Sequence, residues 1–74
     1  MKYLEEISPG DCFVFENKLF ILTTDFKKSG DRLSYRLDNG NPFWLKPNVV
    51  IDINPIYYLD KDNNVIPIKV TPKT

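Results

Sequence analysis

Turn-forming residues interrupt this 74-residue chain about every ten positions, a spacing that admits short strands and leaves no room for a long helix. "SPGD" at 8–11 sets proline before glycine, the order of a type II turn, and "CFVFE" follows it. A break at "NK" (17–18) separates that run from "LFILTTD". The polar loop "FKKSGD", hinged on Gly30, leads into "RLSYRLD". There the alternation is strict, with Leu33, Tyr35 and Leu37 on one face and Arg32, Ser34 and Arg36 on the other. "PFWLK" comes after "DNG", "VVIDI" after "KPN", and "IYYLD" after Pro55. "KDNN" then turns the chain into "VIPIKV", where Pro67 marks an edge strand. Only "KYLEEI" reads as helical, for one or two turns. The expectation is an all-β fold of six or seven short strands.

A chain of this length holds one core. It buries only about 60% of its unfolded surface, so each large side chain weighs heavily. Apolar residues at 42% and aromatics at 14% suffice for such a core and exceed what disordered segments carry. Residues 1–74 therefore read as a single domain, and association between chains is an expected source of further burial. Cys12 is the single cysteine, which rules out an internal disulfide and suits a reducing, cytoplasmic setting. "MKYLEEISPGD" lacks the apolar run of a signal peptide, and no stretch has membrane-spanning length. Neither export nor a membrane is expected.

The formal net charge is zero, which disfavours a general nucleic-acid binder. Its distribution is uneven. Residues 1–26 hold two lysines against five acids, a balance of −3, while residues 27–46 hold five cations against two acids, a balance of +3. Histidine is absent, so no imidazole acid/base pair, triad or metal site can be built. One cysteine makes no structural zinc site. Cys12 lies between Asp11 and large apolar residues, which favours an inert thiol. "DKDNN" puts Asp60, Asp62 and Asn64 at the first three ligand positions of an EF-hand loop. Val65 stands where that loop needs glycine and Thr71 where it needs glutamate, so a polar hairpin turn is expected instead. Glycines 10, 30 and 40 stand alone and cradle no phosphate. No enzymatic activity, metal or cofactor is expected.

"ISPGD" before the first long strand, the short turn into "LFILTTD", and "LDNG" followed by "WLKPN" and "VV" resemble small SH3-like β-barrel proteins of the kind encoded by phages and mobile elements. The resemblance covers residues 4–53. It implies a barrel of five to six short antiparallel strands, with residues 54–70 as an added C-terminal hairpin. It also implies a non-catalytic binder and brings no site residue with it.

"RLDNGNPFWLKPN" raises a question of register. Phe43 and Trp44 are neighbours, and strand neighbours point to opposite faces. A two-residue Asn39–Gly40 turn sets Tyr35 against Trp44 and brings the indole into the core. A three-residue loop of Asp38, Asn39 and Gly40 sets Tyr35 against Phe43 and Leu33 against Leu45, leaving Trp44 outside opposite Ser34. The second is preferred because Gly40 then sits at the left-handed position. In either register a large apolar side chain shares a face with Arg32 and Arg36.

That juxtaposition defines a candidate surface of Trp44, Arg32, Arg36 and Ser34, extended by Lys46 and Tyr57. An aromatic among guanidinium groups suits an interface hot spot. It equally suits stacking of a small anionic nucleotide. "LFILT" adds a second feature, since Leu19 and Ile21 face one way and Phe20 and Leu22 the other. A strand in a small sheet needs one apolar face, so the other is covered either by the added C-terminal hairpin of the same chain or by another chain. The leading expectation is a binding module that meets a protein partner or itself. A phage-type protein sequestering an anionic nucleotide signal is the alternative, and an RNA- or DNA-binding barrel the third.

Overall fold

A computed structural model describes residues 1–69. Its strands are β1 (Lys2–Tyr3), β2 (Cys12–Phe15), β3 (Lys18–Phe26), β4 (Arg32–Arg36), β5 (Pro42–Leu45), β6 (Val50–Ile53), β7 (Tyr57–Leu59) and β8 (Val65–Pro67). Helix is limited, among the described residues, to one 3-10 turn at Leu4–Glu6, where one or two turns were expected. The all-β expectation holds.

The barrel does not. Six strands form one antiparallel sheet in the order β1-β6-β2-β3-β4-β5, and β7 and β8 form a second sheet of two. Closure would require β1 to pair with β5, yet these lie at opposite edges and neither sheet closes. The reason is local. β1 is two residues long, so beyond its pairing with β6 it offers only a minimal second edge, and β5 begins at Pro42, which has no N–H to donate. The SH3-like assignment is therefore corrected to two open sheets, and the phage or mobile-element origin it implied has no support. The hairpin expected at 54–70 is present as β7 and β8; residue 70 and Thr71 lie outside the described residues.

Turn chemistry explains most of the boundaries. In the 8–11 turn, Gly10 takes φ +90° while the Ser8 N–H donates to the Asp11 carboxylate at 2.9 Å. Glu16 and Asn17 both have positive φ, which gives the type I′ hairpin that Phe15–Lys18 pairing demands. This turn falls one residue earlier than the "NK" break suggested. Asn63 takes the left-handed position at the tip of the β7–β8 hairpin.

The core lies on the inner face of the larger sheet. Phe13 from β2, Phe20 and Leu22 from β3, and Ile51 from β6 pack with Leu4 and Ile7 of the N-terminal segment. Across β4 the register differs from both expected alternatives: Leu33 pairs with Trp44, Ser34 with Phe43 and Tyr35 with Pro42. The connection is a four-residue loop, Leu37 to Gly40, closed by Arg36 N–H to Asn41 C=O at 2.9 Å and Gly40 N–H to Arg36 C=O at 2.8 Å. Asn39 Oδ1 accepts from the Asn41 N–H, and Asp38 receives the Arg36 guanidinium, so loop side chains hold the longer turn.

One residue more in the loop reverses the face of β4. Leu33, Tyr35 and Leu37, expected inward, lie on the outer side, and Arg32, Ser34 and Arg36 line the inner side. Packing shows why this is tolerated. Phe20 and Phe43 sit on strands either side of β4, roughly 10 Å apart by strand spacing, yet their rings meet edge to face at 5.5 Å. They lean together over β4, and only a small residue at Ser34 leaves them room. Ser34 is 0% exposed and its Oγ has no hydrogen-bond partner among the described residues.

A buried hydroxyl without a partner costs about 1–3 kcal/mol. Ser34→Ala keeps the volume and removes the cost, so it is expected to stabilise by about 1 kcal/mol, raising Tm by roughly 4–8 °C. Thermal denaturation measures this, and a destabilised Ser34→Ala would refute the account of this core.

Candidate functional site

β3 is apolar on both faces and β4 on its outer face alone, and together they build the outer surface. With Phe20 and Leu22 committed inward, Leu19 and Ile21 turn outward, where Ile21 pairs with Tyr35 and Tyr35 with Pro42. Cys12 heads the same row from β2 by pairing with Ile21. The next row sets Leu33 beside Trp44. Leu33 is buried, whereas Trp44 is 43% exposed and Tyr35 and Leu37 are similarly open. At roughly 200 Å² per large side chain, these three leave on the order of 250 Å² of apolar surface open. Isolated exposed apolar residues need no explanation, but a contiguous patch does.

The charge beside the indole is Lys27, whose Nζ lies 4.6 Å from the Trp44 ring centroid. Arg32 and Arg36 are on the opposite side of the sheet, facing Leu45 and Phe20. Arg36 is engaged by Asp38, whose carboxylate, first through the guanidinium hydrogen bond, raises the arginine pKa. Ser34 is in the core, Lys46 is exposed just beyond β5, and Tyr57 belongs to the second sheet. The structure therefore does not bring Trp44 together with Arg32, Arg36 and Ser34. Leu33, its partner on β4, and Lys27, over its ring, take their places beside it. The two-faced "LFILT" carried that signal, as did the strict alternation of β4. What misled was the assumption that an apolar stripe must face the core.

The second sheet is preorganised at its tip and loosely held at its root. Asp60 Oδ1 accepts the Asp62 and Asn64 N–H groups at 2.8 and 2.9 Å, and these bonds, that from Asn64 first, hold its carboxyl below the ordinary range. The carboxylate that begins the "DKDNN" pattern is thus occupied with turn amides. At the root, a cleft of about 480 Å³ separates the hairpin from the body, lined by Cys12, Ile53, Pro55, Tyr57, Pro67 and Ile68. Cys12 is buried, and that burial, followed by the neighbouring Asp11 charge, pushes its thiol pKa up, as for an inert thiol. Lys69 Nζ reaches Asp11 at 2.7 Å and pins the hairpin's return strand to the 8–11 turn.

No protein family, curated protein or solved structure matches this chain. Among the described residues, no helix is long and apolar enough to cross a membrane.

The Asp11–Lys69 pair makes hairpin attachment sensitive to acid. Burial acts to raise the Asp11 pKa, but the Lys69 and Ser8 hydrogen bonds outweigh it and hold the carboxyl below its ordinary value of 3.8. A carboxyl depressed in the folded state adds stability above its unfolded pKa, and that stability is lost as pH falls through the folded value. Wild type should therefore be more stable than Asp11→Asn at pH 6, with the gap closing as pH falls below about 4. Denaturant titrations of both proteins across pH 2–7 test this; a gap independent of pH would contradict it.

Proposed function

We propose that this protein is a non-catalytic binding module that acts by associating with a second copy of itself through the outer face of its larger sheet. One observation carries the reading. The inner face already holds the core, yet Ile21, Tyr35 and Pro42 form an apolar row on the other side, with Leu33 and Trp44 in the row beside it. A small domain that keeps such a surface open in water gains by covering it.

The sheet's edges support association by face. Arg36 and Asn41 form a hydrogen-bonded pair, so two positions of β5, Pro42 and Trp44, turn their backbone groups to the open edge. Proline has no donor to offer there. The edge is thus blunted against strand addition, in the manner of edges that avoid indiscriminate pairing. Trp44 presents its side chain to the face, where an aromatic anchor beside a cation suits an interface centre.

Sedimentation velocity across micromolar concentrations is expected to show a dimer that dissociates on dilution. Trp44→Ser should raise the dimer Kd at least tenfold, while the core, which the indole does not enter, keeps its fold. Phe43→Ala should be the more damaging to stability, by about 2 kcal/mol, less than the 3–5 of a fully buried ring. A monomer at every concentration would remove the proposal.

A further inference from the structure

We infer that the segment covering the outer face is the β7–β8 hairpin of the second copy, exchanged reciprocally across a two-fold axis. This rests on the self-association proposed above and specifies its partner surface.

The hairpin lacks a core of its own. Tyr57, Leu59, Val65 and Pro67 share one face, with Tyr58 and Ile66 on the other. Tyr57, Leu59 and Val65 are 56%, 62% and 64% exposed, among the most open apolar side chains described. An isolated two-stranded hairpin is marginal in water and needs a surface to pack on. Its own body supplies only the root, through the cleft at Cys12 and the Lys69–Asp11 pair. Among the described residues, the far half, with Leu59 and Val65, has no such cover. Yet the tip is already ordered by Asp60, so docking it costs little further entropy.

Area and charge both favour exchange. The outer face alone offers about a third of the roughly 800 Å² that each partner in a standard-size complex buries. One face of the hairpin adds a comparable amount, since three large side chains each leave more than half their surface open. Each copy contributes both surfaces in a two-fold arrangement, which brings the total to about 1,200 Å², the lower end of the range for specific interfaces, and closes the assembly. The tip carries Asp60 and Asp62 against one lysine, and the Trp44 end of the face carries Lys27. Opposite charge thus orients the tip toward the indole. Cys12 lies both in the outer row and in the cleft, so the face meets the hairpin root there, beside the Asp11–Lys69 pair.

An isotope-filtered NOE experiment on a mixture of ¹³C-labelled and unlabelled chains, at a concentration where the dimer is populated, tests this. Contacts are expected between the Leu59 and Val65 methyl groups of one copy and the Tyr35 and Trp44 rings of the other. Leu59→Ser, which touches no core residue, should raise the dimer Kd at least tenfold, as Trp44→Ser does. A dimer with contacts only between outer faces, or one unmoved by Leu59→Ser, would overturn the hairpin assignment and leave self-association standing. A protein that stays monomeric would overturn both.

Discussion

The contact of Phe20 with Phe43 over Ser34 decides what the rest of the molecule can be. Two rings from strands that are not neighbours can meet only if the strand between them carries a small side chain at the crossing point. Ser34 meets that condition and Tyr35 or Leu33 would not. Once Ser34 is the inward residue of β4, period-two alternation sends Leu33, Tyr35 and Trp44 outward together. The core and the candidate surface are therefore two consequences of one register. A polar residue in the core is the cost of that arrangement, and an apolar outer face is its product.

The sequence made the strands legible and left their faces ambiguous. Turn residues located nearly every strand, because proline, glycine and asparagine act through backbone constraints that need no tertiary context. Glu16 shows the limit of that reading: it adopts a left-handed conformation that its own chemistry does not favour, and so the turn lies one residue earlier than composition suggests. The hairpin at Asn39–Gly40 shows a deeper limit. Two-, three- and four-residue loops all accommodate Gly40 at positive φ. The choice falls to Asp38 binding Arg36 and Asn39 capping Asn41, contacts visible only once the loop has formed.

Barrel closure was misjudged for a related reason. A run of short strands with regular turns is common to closed barrels and open sheets alike. The difference lies at the first and last strands of the sheet, where residue count and proline position govern whether a ladder can form. Here the first strand has two residues and the last begins with proline. Both features stand in the sequence, but their weight depends on knowing that these particular strands occupy the edges. Likewise, neither the outward member of the Phe43–Trp44 pair nor its neighbours were legible, because a neighbour across a strand is fixed by register and not by proximity in the chain.

An open sheet of this size has two ways to lose exposed surface, by its edges or by its faces. Edge pairing is indifferent to side chains, so it recruits any free strand and tends toward open-ended assembly. Face packing depends on which side chains meet and can close around a two-fold axis. Pro42 closes off the first route at the strand best placed to use it, while Ile21, Tyr35 and Trp44 keep the second available. The hairpin then becomes more than an appendage. Its apolar residues are too many for a solvated arm and too few for a separate core, and such a segment gains stability only when it finds a complementary face. The proline at the edge and the bare hairpin thus act in one direction, limiting how chains meet while leaving a reason for them to do so.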